Sequence, residues 1–400
     1  MDYFCSMKRI FYIIVILSAL IALFWAAFQA QNVDYGELLS LNISIQTTIV
    51  VTTFTFVLVS IQLASVQFSP RILRNFFAKD KKIGLILALF VCNIAYCLIL
   101  KLLGLKSEEH KIFPIIGLIY GISLVAIVLP LFFSYITNAM NVGTITQKIA
   151  LQVLKNIDEN YDTEDFTPEI SNSNWTIFPQ TAIKANGMGY LQSIDYAVVN
   201  YVAEKYKDAF FKSTQIVGTF IQPNETLITM FGRKDNPLTD AEKILLQNAF
   251  RIGKYRSVEN DLNYGIRQLV DIAIKAISPA VNDPTTAINC LNYIGVIVHS
   301  IGNQAFPSMN AQDLLPNISI KEPDFKHIVN HSFDQIYFWG KGDPIVVLAI
   351  LNTIHQIIGD LDNPEHRQIL LDEVKDMEID SSVFSPEQRN LIEKALKKII

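Results

Sequence analysis

Charge is scarce in this chain of 400 residues: only 18% are Asp, Glu, Lys or Arg, against about a quarter in ordinary soluble domains. With 50% hydrophobic residues and a mean hydropathy of +0.29, that scarcity argues against a single soluble domain. Cysteine is scarcer still, and four Cys in 400 residues do not make a disulfide scaffold. Glycine (17) and proline (15) are too few for collagen-like or Gly/Pro-repeat structure, while 25 Phe and 15 Tyr are too many for disorder. Also missing are a phosphate-cradling glycine loop, a Gly-x-Ser-x-Gly elbow and a Cys-His pair at a supporting spacing. No cofactor is called for, and no catalytic residue is assigned. What is left is a membrane protein carrying a folded soluble part.

The formal net charge of −5 is unevenly spread. Residues 1 to 136 hold six acids and ten bases, a net of +4, so the remainder carries 32 acids and 23 bases, a net of −9. An acidic soluble part without a Lys/Arg stripe argues against a nucleic-acid partner, because phosphate contacts dominate that affinity.

A bilayer core of about 30 Å needs about 20 apolar residues at helical rise. Four runs qualify, at about 10–28, 45–67, 83–103 and 112–135, and they define a transmembrane domain over 1–136. The first follows Lys8 and Arg9 but lacks a good cleavage site, so it is read as a retained anchor. Arg71, Arg74, Lys79, Lys81 and Lys82 crowd the loop after the second run, whereas the loop after the first has Asp34 and Glu37 and no base. Because Lys and Arg in short loops resist translocation, the N-terminus and everything after 136 are expected on the cytoplasmic side of a cell (plasma or inner) membrane.

The second run differs from the others. Gln46, Thr53, Ser60 and Gln67 recur every seven residues on one face, and Thr48, Thr55, Gln62 and Ser69 on nearly the opposite one. Unpaired amides are costly in hydrocarbon, so these side chains should meet protein or water. Two readings stay open. In one, Ser and Thr bond their own helix backbone and Gln holds neighbouring helices together. In the other, Gln46, Thr53, Ser60, Gln62 and Gln67 supply pore-lining positions in a homo-oligomer.

Beyond the membrane part the pattern predicts a helix and acidic linker over 137–174, a small α/β module over 175–233, and an α-helical cytoplasmic domain over 238–400. Within the last, Thr239 and Glu242 have capping-box spacing before a helix over 241–252, and a helix over 261–277 places Arg267, Asp271 and Lys275 on one face. Asp283-Pro284 restarts the chain as a helix, Asp as cap and Pro at the first position. Asp343-Pro344 repeats the device, and Leu291, Asn292 and Ile294 align with Leu351, Asn352 and Ile354.

Two polar constellations stand out. Ser278, Asn282, Asp283 and Thr286, with Arg267 and Asp271 nearby if the helices form a hairpin, could take a cation or small polar ligand; the alternative is a rigid corner held by capping bonds. Asp324, His327, His331 and Asp334 fall on one helical face, which reads as a weak metal candidate or as a solvated surface.

The segment with Arg256-Ser257, Asn260-Asp261 and Tyr264 to Ala273, followed by Ser278-Pro279-Ala280-Val281-Asn282-Asp283-Pro284-Thr285-Thr286-Ala287, resembles a prokaryotic predicted membrane protein family known only as a domain of unknown function. Supporting stretches are Gln62 to Ser65, Gln67 to Arg71, Gly189 to Asp195, Phe333 to Ile336 and Gly342 to Pro344. The resemblance implies four N-terminal spans and a cytoplasmic C-terminal region, and it implies no activity. Three functions follow as expectations: an oligomeric conduit for ions or small solutes with a cytoplasmic vestibule or sensor, a non-conducting scaffold or regulator that binds a cytoplasmic protein, and a membrane-tethered enzyme centred on the Asn282-Asp283 loop.

Overall fold

Asp34 starts the first described helix by accepting hydrogen bonds at Oδ1 from the amides of Gly36 (2.9 Å) and Glu37 (3.2 Å), which have no helical partner of their own. Helix α1 then runs Tyr35–Gln67, entering well before position 45, where the apolar run begins. The computed structural model describes residues 34–67, 81–103, 112–161, 175–232, 237–258, 260–306, 308 and 313–399. The expected span at 10–28 and most of the basic loop after the second run lie outside them.

Helix α2 is Lys81–Leu102, α3 is Ile112–Ser123 and α4 is Leu129–Ala139. A π-helical turn, Leu124–Val128, joins the last two. Pro130 explains it: proline has no N–H to give the carbonyl of Ala126 and its ring would press on that oxygen, so the turn just before it widens. Among the described residues three stretches, Tyr35–Gln62, Gly84–Leu102 and Ile112–Asn138, are long and apolar enough to cross a membrane. Leu39, Cys97 and Leu100 pack at one level, and Val57, Phe132 and Ile136 at another. In lipid, such contacts hold helices by packing rather than by burial from water.

The chain divides into two compact units, Met1–Thr144 and Ile145–Ile400. Most of α5 (Val142–Asn160) belongs to the second, where Ile145, Ile149, Val153 and Ile157 are buried at the expected helical spacing. A mixed α/β region follows, with β1 Gln180–Lys184, β2 Gly189–Ile194, α6 Tyr196–Glu204, β3 Phe210–Ser213, β4 Phe220–Ile221 and β5 Thr226–Phe231. The stretch 210–221 thus holds two short strands separated by a turn.

Two short strands interrupt the mainly helical stretch expected from Leu238 onward. Helix α7 (Asp240–Ala249) keeps its capping box, but Phe250 turns extended and opens β6, Phe250–Gly253, which pairs antiparallel with β2. Farther on, β7 (Ile318–Ile320) adds to β3 in parallel. The strand orders are β1-β5-β3-β7 and β4-β2-β6. Leu191, Val199, Val202, Phe211, Ile228, Leu246, Phe250 and Ile318 share one core, so the two late strands complete a body too small to bury its own apolar surface.

The rest is helical: α8 Leu262–Ala276, α9 Pro284–Gly302, α10 Phe325–Gly340, α11 Pro344–Asp360, α12 Pro364–Asp376 and α13 Pro386–Ile399. Helix α8 packs on α9 and α10, α9 on α11, α11 on α13 and α10 on α12. Helix α8 is buried nearly all round, and Arg267, Asp271 and Lys275 make its outward stripe, as their spacing requires.

Candidate functional site

The polar centre of the membrane unit is built from amides on two helices and glycines on a third. Gln46 of α1 donates from Nε2 to Asn42 Oδ1 (3.0 Å), and Asn42 Nδ2 donates to Cys97 Sγ of α2 (3.3 Å). Asn93 Nδ2, midway along the apolar stretch of α2, donates to the Gly117 carbonyl of α3 (3.3 Å). Gly117 and Gly121 are four apart on α3, the spacing that lets helix backbones approach. At Gly121 a Cβ would overlap the Asn42 and Gln46 amides, so the absence of a side chain there is what admits them. Gln46 is wholly buried, and its Oε1 has no hydrogen-bond partner among the described residues.

Thr53 and Ser60 are buried on the same face as Gln46, within the chain's own helices, whereas Gln62 is exposed. Gln67 closes α1 with its side chain outside the described part. On the other stripe, Thr48 and Thr55 are exposed and bond their own backbone, to the carbonyls of Ser44 and Val51 (2.9 Å each). Asn42, Asn93 and Cys97 did not emerge from the stripe pattern. The signal for them was an asparagine in the middle of an otherwise apolar run, and the Gly117/Gly121 spacing facing it.

In the second unit, Asp283 caps α9: its carboxylate accepts from the amide (3.1 Å) and the hydroxyl (2.5 Å) of Thr286. Those bonds hold its carboxyl below the usual carboxylate range. Its own amide donates to the Ala276 carbonyl (2.8 Å), and Asn282 takes a left-handed φ of 51° to make the corner. Ser278 bonds locally to the Lys275 carbonyl (2.7 Å). Arg267 instead pairs with Asp271 (2.7 Å) and donates to Gln335 of α10 (2.6 Å). Among the described residues no hydrogen bond or ion pair links Arg267 or Asp271 to Ser278, Asn282, Asp283 or Thr286.

Asp324 caps α10 by accepting from the His327 amide (2.7 Å), and the His327 and His331 rings stack with centroids 5.2 Å apart. Burial, then the neighbouring His327, lowers the basicity of His331. Asp334 lies instead beside Glu373 of α12. Among the described residues no three His, Cys, Asp or Glu side chains converge as a metal-holding group.

A further polar constellation falls in the stretch that carries the family resemblance. Arg256 grips Asp261 through Nε (2.7 Å) and Nη2 (2.9 Å), and Asp261 also caps α8 through the Tyr264 amide (2.9 Å). Gly218, in the turn between β3 and β4, closes over this pair with φ 94°, and a Cβ there would overlap the Asp261 carboxylate.

Apolar membrane-length helices around buried amides, followed by a separate α/β and helical unit, define a mostly helical membrane protein with a second folded unit. Residues 6–356 match a family described as predicted membrane protein (DUF2254), and the chain belongs to it. It is similar to the uncharacterized protein Mb1321c of Mycobacterium bovis and to the uncharacterized protein Rv1290c of Mycobacterium tuberculosis, 28% identical to each over 350 residues. Each match covers 83% of this chain and 65% of the relative, so the chain spans just under two thirds of their length. No solved structure matches it.

Proposed function

We propose that the membrane unit is a conduit for a small ion or polar solute, with the Asn42, Gln46 and Asn93 amides as its interior polar station and the soluble unit as a cytoplasmic vestibule or sensor. One observation carries the reading: a wholly buried amide oxygen, that of Gln46, has no hydrogen-bond partner among the described residues, within a helix of membrane-spanning length. An orphaned acceptor in such surroundings costs about 1–3 kcal/mol, a cost that a passing cation or water would relieve. The net of −9 after residue 136 supports a preference for cations, because an acidic mouth raises their local concentration. The basic stretch before α2 supports the cytoplasmic orientation. Exposed Gln62, Thr48 and Thr55 leave a polar strip on the outer face of α1 where copies could associate.

The test is flux in liposomes. Purified protein should pass monovalent cations, and Gln46→Leu and Asn93→Leu should cut the rate at least tenfold at equal incorporation. A flat response across common ions and osmolytes sinks the proposal and leaves the scaffold reading, which expects a reproducible co-purifying protein.

A further inference from the structure

The second unit contains a cavity, lined by polar and apolar groups alike, that the conduit does not use. It encloses about 120 Å³ between the end of α5, β2, the start of α8 and the linker after β7. An apolar cavity of roughly 150 Å³ accommodates a six-carbon ring, so this one admits a ligand of about six non-hydrogen atoms.

Its lining includes two carboxylates, those of Asp261 and Glu322. Asp261 reaches it already ion-paired with Arg256. Glu322 accepts from the Tyr196 hydroxyl (2.7 Å) and from the Ser308 amide (2.8 Å) and hydroxyl (2.7 Å), so its position is fixed. Yet among the described residues Glu322 has no ion-pair partner within 4.0 Å. Asn263 lines the same space at 4% exposure, and its Oδ1 has no hydrogen-bond partner among the described residues. Tyr161 reports the field inside: burial, then the negative charges of Glu322 and Asp261, hold its phenol well above the usual range. Lys321 also lines the space, but it is exposed and therefore screened by solvent.

These features choose among ligand classes. An anion would face the unneutralised Glu322. A bare metal ion needs several hard oxygen ligands converging on one point, and no such group of carboxylates is present among the described residues. A donor-rich cation meets both the orphaned amide oxygen and the lone carboxylate. We propose that this cavity binds a small organic cation bearing a primary ammonium group, held by Asn263 and Glu322. The assignment stands apart from the conduit and survives its failure.

Calorimetric titration of the full-length protein in detergent, at constant ionic strength, tests it with 1,4-diaminobutane as probe and 1,4-butanediol and potassium chloride as comparisons. We expect saturable binding of one diamine per chain, no saturable binding of the diol or the salt, and at least tenfold weaker diamine binding in Glu322→Gln and Asn263→Leu. Absence of saturable diamine binding overturns the proposal, as does equal binding of the diol or wild-type affinity in a folded Glu322→Gln protein. The comparison of diamine with diol on the wild-type chain decides the matter even where a variant does not fold.

Discussion

Single atoms decide much at the residue scale. Gly218 has a left-handed φ and no room for a methyl group beside the Arg256–Asp261 pair. Gly218→Ala should therefore destabilise the protein by about 1–3 kcal/mol, seen as a lower melting temperature, whereas Gly187→Ala, which meets nothing within 4 Å, should not. Glu373 makes a pH-dependent contribution. It is buried against α10, and burial, then the adjacent Asp334 and Asp376, raise its carboxyl to about 8. Between about pH 4.5 and 8 the folded chain holds a proton there that the unfolded chain has released, so stability falls as pH rises through that window. Thermal melts from pH 5 to 9 should show this decline, and Glu373→Gln should flatten it. A variant that keeps the wild-type slope places the titrating group elsewhere.

Elements were legible in the sequence where a period or a cap announced them. Thr239 with Glu242, and Asp283 and Asp343 before proline, marked three helix starts that the structure places as expected. Asp343 caps α11 as Asp283 caps α9, accepting from the Ile345 amide (2.8 Å), and these two helices pack together with Gly295 facing Thr353. Asp283→Ala should cost about 1 kcal/mol of stability in a denaturant melt, and Asp283→Asn much less, since an amide oxygen caps nearly as well. Equal losses would mean that the charge itself matters at this corner. The strands β6 and β7 escaped notice because Phe250-Arg251-Ile252 and Ile318-Ser319-Ile320 are too short for alternation to be distinguished from helical spacing, and their partners lie far away in sequence. The polar centre escaped for a related reason: Asn42 precedes the apolar run of α1, and Asn93 is a single residue in α2, so neither forms a periodic stripe.

For the whole molecule, the sequence separated a greasy, basic first third from an acidic remainder, and the division into units at Thr144 and Ile145 follows that change closely. What composition could not convey is phase. The π turn at Leu124–Val128 carries one residue more than an unbroken α-helix would, so everything beyond it is rotated by about 100° relative to the α3 face. Gly117 and Gly121 can thereby address Asn42, Gln46 and Cys97 while Phe132 and Ile136 still reach Val57. Deleting one residue between 124 and 128 should leave circular dichroism unchanged yet swing Phe132 away from Val57, abolishing a disulfide engineered between those two positions. One surplus peptide unit thus acts as a vernier between the two levels of the bundle.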